Sequence, residues 1–317
     1  MNHGMKGKTI KNVIRAKIND WLDSITDESL REQLRGNVIV TGGCIVSMLL
    51  GEPVNDFDVY LRDHDTCLRV GQYYLDRFKE KHATGIKHDI TLEDSGGRVR
   101  IVVKSAGIAS EEGTSKPYEY FEGSPDERAA GYVADVMSDP GEIEDTYQET
   151  EQTALETDNT PEQKYRPVFL STNAITLSGK IQVILRFYGK PEEIHENYDY
   201  VHCTCYWESG SGALTLRPEA MESMLSRELR YTGSKYPICS LVRMRKFIQR
   251  GWRVNAGQIL KMVMQINELD LKNIEVLQDQ LTGVDSAYFV QLIERLREKD
   301  PEKVNAAYLV EILDRMF

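Results

Sequence analysis

Two aspartates one residue apart, Asp56 and Asp58, stand between apolar neighbours in the stretch TGGCIVSMLLGEPVNDFDVYL, residues 41–61. Side chains at i and i+2 of a strand share a face, so the two carboxylates project together while Phe57 and Val59 turn toward a core. Like charges that close repel, and each raises the other's cost of ionising. A divalent cation removes the penalty, because Mg²⁺ takes one or two carboxylates together with phosphate oxygens; Mn²⁺ suits the same oxygen donors. The glycine pair Gly42-Gly43 supplies the other half. A strand, a glycine turn and a helix N-terminus present backbone N–H groups and a partial positive charge that suit a phosphate. Without Cβ atoms, the glycines let that phosphate approach the backbone. Ser47, one turn into the helix, adds a hydroxyl. A carboxylate–metal pair beside a phosphate cradle is equipment for phosphoryl or nucleotidyl transfer. Either half alone is common, a DxD on a solvated edge strand or a GG in an ordinary turn. Their joint spacing, Asp56 thirteen positions after Gly43, is what points to chemistry.

Several elements must position these groups. Val13, Ile14, Ile18, Trp21 and Leu22 recur at helical spacing within residues 12–34, and Thr26 is a candidate N-cap for a second short helix. Val38-Ile39-Val40 is a short apolar strand running into the glycines. Residues 44–50 read as a helix closed by Gly51, residues 56–61 as a strand and residues 67–81 as a helix, with a further strand at Val99–Val103. Strands resume at Val168-Phe169-Leu170, at Ile181–Leu185 and over Tyr198–Tyr206. From about Arg217 onward the pattern is helical, with Asp300-Pro301 as cap and first position of a last helix carrying Ala306, Leu309, Val310, Leu313 and Met316.

The net charge of −11 at first weighs against a nucleic-acid partner. Residues 106–165, however, hold 16 acidic and three basic residues, a balance of −13 that leaves about +2 for the rest of the chain. That segment lacks periodicity and reads as a surface insertion, at least partly disordered. Five cysteines without a framework spacing suit reduced thiols in a cytoplasm. The basic N-terminus lacks the apolar core of a secretory signal. No apolar run reaches the roughly 18 residues of a membrane span, and mean hydropathy is −0.44. The division expected is a head over residues 1–105 and 166–212, interrupted by the acidic insertion 106–165 and followed by a helical domain over 213–317.

Gly-Gly, about a dozen residues and then Asp-apolar-Asp resembles the signature of the DNA polymerase beta nucleotidyltransferase superfamily. The run from Gly42 to Asp58 is similar to the GGAVRDLLLGRPVKDIDL run of class II CCA-adding enzymes and bacterial poly(A) polymerases. Leu170-Ser171-Thr172-Asn173-Ala174 resembles their DFTINA motif, which lies near the incoming nucleotide. Leu241–Phe247 with Gly251-Trp252 resembles the LRILRALRF…GF helix after the catalytic head. Val46 and Ser47 stand where that branch carries arginine and aspartate, and its EDxxR base-selecting motif is not recognisable. The whole also looks similar to nucleotidyltransferase-like proteins of large double-stranded DNA phages. The resemblance implies an α+β fold: a mixed, mostly antiparallel nucleotidyltransferase sheet with helices, followed by a helical C-terminal domain. It implies two Mg²⁺ ions and a third carboxylate on a neighbouring strand, for which Asp199 is the choice and Asp89 and Glu93 the alternatives. Asp199 would activate the attacking hydroxyl while Asp56 and Asp58 bind both ions.

Arg243, Lys246 and Arg250 fall on one face of a helix, either as a solvated basic face or as a grip on a triphosphate or nucleic-acid backbone. Lys235 would serve as a phosphate ligand and Tyr236 as a stacking surface. His202, Cys203 and Cys205 lack the second paired half of a zinc site, and strand alternation explains them better. Trp207 and Trp252 read as core or interface residues. The nucleotide-binding set is therefore Gly42, Gly43, Ser47, Thr172, Asn173, Lys235, Arg243 and Lys246. The expected reaction transfers a nucleoside monophosphate from NTP, ATP included, to an RNA 3′ end such as tRNA, with release of pyrophosphate, in a cytoplasm. The rivals are a nucleotidyltransferase acting on a protein or small molecule, a catalytically idle relative that binds nucleotide or a host factor, and an anti-defence or toxin-like phage protein.

Overall fold

A computed structural model of the chain describes residues 4–81, 88–105, 164–170, 173–271, 273, 276 and 280. Thr172, most of the acidic segment and the helix expected after Asp300-Pro301 lie outside the described residues. The chain opens with α1 (Gly7–Asp23), which buries Ile10, Ile14, Ile18, Trp21 and Leu22 along one stripe. Val13, expected in that stripe, is instead 37% exposed, because the buried face runs through Ile10 and Ile14 at i and i+4. α2 (Glu28–Arg35) is capped by Asp27, which accepts from the Leu30 N–H at 3.0 Å, so the cap falls one residue after Thr26.

Next come β1 (Val38–Thr41), α3 (Gly43–Leu50), β2 (Phe57–Leu61) and α4 (His64–Lys81). Gly51 closes α3 in the left-handed region at φ 71°, as the sequence suggests. The hairpin β3 (His88–Ser95) and β4 (Arg98–Ser105) turns through Gly96 and Gly97, both at positive φ, the geometry that tight primed turns demand. β3 has no counterpart in the sequence reading. The chain continues with β5 (Pro167–Leu170), β6 (Ala174–Leu177), β7 (Ile181–Tyr188) and the short α5 (Pro191–His195). After a 3₁₀ turn at Val201–Cys203 it returns through β8 (Tyr206–Glu208) and β9 (Leu214–Thr215). The helices α6 (Pro218–Ser226), α7 (Pro237–Gln249) and α8 (Ala256–Asn267) follow.

Among the described residues, seven strands form one sheet in the order β5-β6-β7-β2-β1-β8-β9, while β3 and β4 form their own two-stranded sheet. Among the described strands of the large sheet only β2 and β7 run parallel, so the fold is α+β with a mixed, mostly antiparallel sheet. One sheet face carries Val38, Val40, Val59, Leu61 and Val183 into the main core with α1 and α4. The other face carries Ile39, Tyr60, Ala174 and Ile184, which pack with Ile194 of α5.

The expected strand over Tyr198–Tyr206 does not form as such. Tyr200 makes a single bridge to Tyr231, and the chain then curls into the 3₁₀ turn before β8. The Thr204 hydroxyl donates to the Val201 carbonyl at 2.7 Å, and the Thr204 N–H donates to it at 3.1 Å. A side chain that satisfies a nearby backbone group in this way offers the chain an alternative to the ladder.

Candidate active site

β1 and β2 set Thr41 opposite Asp58, and β7 sets Gln182 opposite Asp58 on the other side. Thr176 of β6 faces Gln182 in turn. Cross-strand partners share a sheet face, so Thr41, Asp58, Gln182 and Thr176 form a polar row across four strands. That row borders the small apolar cluster of Ile39 and Tyr60. Asp56 lies immediately before β2, in a segment tied to β7 by the Phe57 N–H, which donates to the Lys180 carbonyl at 2.8 Å. Both carboxylates bear on the same buried thiol. Burial first, then Asp58 and Asp56, holds Cys44 well above its ordinary pKa.

Gly42 links β1 to α3 at φ 89° and ψ −150°, a conformation confined almost entirely to glycine. A Cβ there would stand 2.7 Å from Asp58 Oδ2 and 3.5 Å from the Tyr198 hydroxyl. The metal-binding candidate and the glycine turn are thus in direct contact. Gly43 begins α3 with open space where its Cβ would be, and no side chain caps the helix. Ser47 lies one turn along α3, half-buried.

A clasp from the 3₁₀ turn fixes this geometry. The Cys203 carbonyl accepts from the Gly42 N–H at 3.1 Å and from the Thr41 hydroxyl at 3.2 Å. The same hydroxyl donates to the Cys205 carbonyl at 2.8 Å. Its one proton is therefore committed to carbonyls, so the His195 Nε2–H donates to Thr41 Oγ1, 2.9 Å away. Burial, and secondarily Arg217, drives the His195 imidazole down to about 3, which keeps it neutral in that role. Tyr198, whose hydroxyl bonds that of Tyr60, borders Asp58 from the same segment.

Asp199 follows Tyr198, and Arg243 of α7 pairs with its carboxylate at 2.5 Å. Two candidates assigned different tasks, metal ligand and phosphate ligand, are thereby paired with each other. Cys203 feels both carboxylates: burial, then Asp199 and Asp58, raises its thiol. Among the described residues, no group of three His, Cys, Asp or Glu side chains assembles into a metal-holding cluster. By residue type Asp56 and Asp58 could hold one divalent ion together with phosphate oxygens; a second ion would call for a third carboxylate, and Asp199 is engaged by Arg243. Asp89 and Glu93 lie on β3, outside the large sheet, and Arg100 holds Glu93 at 2.9 Å.

Asn173, buried before β6, accepts from the Leu185 N–H through its carbonyl and from Arg186 through Oδ1. Lys235 is exposed and Tyr236 half-buried ahead of α7, with Lys246 half-buried along that helix. His202 is fully buried among Tyr200, Phe247 and Trp252. It is a packing residue, well separated in role from any zinc site. Sequence reasoning overlooked Thr41, Tyr198, His195 and Arg186. Only the polar residue at the end of an apolar strand, Thr41, carried a signal, since Val38–Val40 otherwise run without a break.

Residues 12–227, more than half of the chain, match the Gabija anti-defense 2 family. The chain belongs to that family. A member from Bacillus phage SPbetaL7, described as Gabija anti-defense 2, is 24% identical over 123 residues, which is 38% of this chain and 31% of that protein. The matched part therefore spans about a third of that relative's length. Solved structures align more loosely. The Thermotoga maritima CCA-adding enzyme complexed with tRNA superposes with a TM-score of 0.38 at 11% identity, over 93% of this chain and 51% of that one. The Bacillus stearothermophilus CCA-adding enzyme in complex with CTP gives 0.35 at 12% identity, over 88% and 52%. The architecture of this Gabija anti-defense 2 family member rests on its own strand order and register. Among the described residues, no helix is long and apolar enough to cross a membrane.

Proposed function

We propose that the chain is a metal-dependent nucleotidyltransferase that transfers NMP from NTP, and that this activity serves its family's anti-defence role against the host of a phage. The observation that carries the reading is the contact between Gly42 and Asp58. It sets a carboxylate at the lip of a backbone turn suited to phosphate. In this reading the N–H groups of Gly43 and the start of α3 bind the triphosphate, with Ser47 adding a hydroxyl, while Gly42, its own N–H held by the Cys203 carbonyl, lets the phosphate approach. Asp56 and Asp58 would hold Mg²⁺ or Mn²⁺, which supplies Lewis-acid stabilisation of charge on the transferred phosphoryl group. Thr41 and His195 hold the turn in register, and Tyr198 borders the carboxylate. Asp199 aims Arg243 toward arriving phosphates, or accepts a proton from the acceptor hydroxyl once Arg243 has moved to them. An RNA 3′ end such as tRNA is the acceptor we favour, supported by the sequence resemblance around residues 42–58.

The Asp199–Arg243 pair favours a second reading, in which the chain binds NTP without turnover and withholds it or a host factor. Incubation with each labelled NTP, Mg²⁺ and total tRNA or cell extract separates the two. A labelled RNA band supports transfer to RNA, and a labelled protein or small molecule redirects the acceptor. Binding without label under any NTP refutes transfer. Asp56→Ala with Asp58→Ala should abolish all labelling, and full activity in that variant would sink the metal assignment.

A further inference from the structure

Four residues along β7 from Gln182, Arg186 and Phe187, which the proposed reaction does not use, converge with Asn173 and Lys235 of the expected nucleotide-binding set. β7 loses its even alternation beyond Val183, where its register with β2 shifts. Ile184 and Phe187 pack toward the Tyr60 cluster, while Leu185 and Tyr188 pack into the main core. A bulge re-aims side chains in this way. Here it directs the Arg186 guanidinium to 4.7 Å from the Tyr236 ring centre and 5.5 Å from that of Phe187. Arg186 also donates to Asn173 Oδ1 at 3.3 Å. Lys235 Nζ lies 6.0 Å from the same Phe187 ring. Two cations thus lie within about 6 Å of the centre of one aromatic ring, and among the described residues no carboxylate pairs with Lys235.

The segment that presents them is built in advance. The Gln265 amide N–H donates to the Ser234 carbonyl at 2.7 Å, and Ser234 Oγ accepts from the Tyr236 N–H at 3.0 Å. Gln280 donates to the Lys235 carbonyl at 2.8 Å. A guanidinium stacked on a ring and fixed through an amide oxygen presents its donors as a planar fork, the geometry that matches phosphate.

We propose that Arg186, Lys235 and Tyr236 form a phosphate-binding subsite, with Asn173 and Phe187 as its frame. Its ligand is a phosphate group, carried either by the polyphosphate tail of a nucleotide or by the backbone of a polynucleotide. This subsite stands on its own geometry and does not require that transfer occurs.

The test is binding to the full chain without turnover, using inorganic tripolyphosphate and a fluorescein-labelled single-stranded RNA oligonucleotide as separate probes. Arg186→Lys, which keeps the charge but loses the fork, and Lys235→Ala should each weaken binding about tenfold, the effect of one charge-assisted contact. An effect confined to tripolyphosphate assigns the subsite to a nucleotide's phosphates. An effect on the oligonucleotide, with its salt slope reduced by about one in Lys235→Ala and unchanged in the charge-keeping Arg186→Lys, assigns it to a backbone track. Unchanged binding of both probes in both variants, with melting temperatures intact, overturns the proposal. Lys235 is exposed, so Lys235→Ala keeps the test decisive should the Arg186 variant fail to fold. Absence of labelling by the wild-type chain, alongside Arg186-dependent binding, would sink the transfer reading and leave this one standing.

Discussion

Replacing each glycine of the pair by alanine should separate stability from binding. Gly42 sits at φ 89° and ψ −150°, and an alanine there costs about 1–3 kcal/mol of backbone strain. Its methyl would also meet Asp58 Oδ2 at 2.7 Å, closer than real Cβ contacts allow. The carboxylate is the movable partner, so the side chain swings away and the metal platform goes with it. Gly42→Ala should therefore lower the melting temperature by roughly 2–4 °C per kcal/mol, in the range of domains somewhat smaller than this chain. It should also abolish metal-dependent nucleotide binding. Gly43 is different. It is the first residue of α3, and a Cβ there meets nothing within 4 Å. Alanine gains up to about 1 kcal/mol of helix propensity over glycine in a helix interior, less at an end. Gly43→Ala should melt at or slightly above the wild-type temperature, yet its methyl occupies the space a phosphate would enter. Differential scanning calorimetry paired with titration of Mg²⁺-ATP reads both effects. Equal melting of the two variants would refute the account of Gly42. Undiminished nucleotide binding in Gly43→Ala would refute the phosphate cradle.

Burial of His195 and His202 ties stability to pH. With imidazoles held at about 3 and about 4 in the fold and near 6.5 unfolded, the unfolded chain binds more protons between those values. Stability from these residues is full above pH 6.5 and is lost as pH falls, by about 2 kcal/mol per histidine at pH 5. His202→Phe, which keeps an aromatic ring against Phe247 and Trp252, should flatten that dependence in urea melts at pH 5 and 7, and an unchanged slope would count against it. The Asp199–Arg243 pair is largely shielded, with side-chain exposures of 13% and 29%. A double-mutant cycle with Asp199→Asn and Arg243→Met should return a coupling of about 1–2 kcal/mol; additivity would mean the pair contributes nothing. Mn²⁺ binding followed by EPR should weaken in Asp58→Asn and hold in Asp199→Asn, and the reverse order would make Asp199 the principal ligand. Ile14→Ala, at a fully buried α1 position, should cost about 2–5 kcal/mol in the same melts.

The local half of the candidate site was legible in residues 38–61. Apolar strands, a glycine pair, the left-handed stop at Gly51 and the DxD alternation are short-range features, decided by backbone sterics and a period of two. They placed β1, α3 and β2 within a residue of where they form. Helical periodicity found α1 and α4 for the same reason, though Val13 shows that a stripe is assigned to the core only when its partner surface is known. The Tyr198–Tyr206 segment defeated the same reasoning. Its alternation was real, but the Thr204 hydroxyl bonding back to Val201 converted it into a turn.

What only the tertiary structure decided is the other half of the site. Arg243 is 44 residues from Asp199 in sequence, and no local pattern reveals that the two neutralise each other. Tyr198, His195 and the Cys203 carbonyl reach the Gly42 turn because β8 returns beside β1, a pairing across more than 160 residues. Sequence alone set the candidate chemistry of Gly42, Gly43, Asp56 and Asp58, since residue type and spacing fix which groups can meet across one turn. Which further charges face that chemistry follows from strand order and helix packing, because those contacts are made by residues with no fixed separation along the chain.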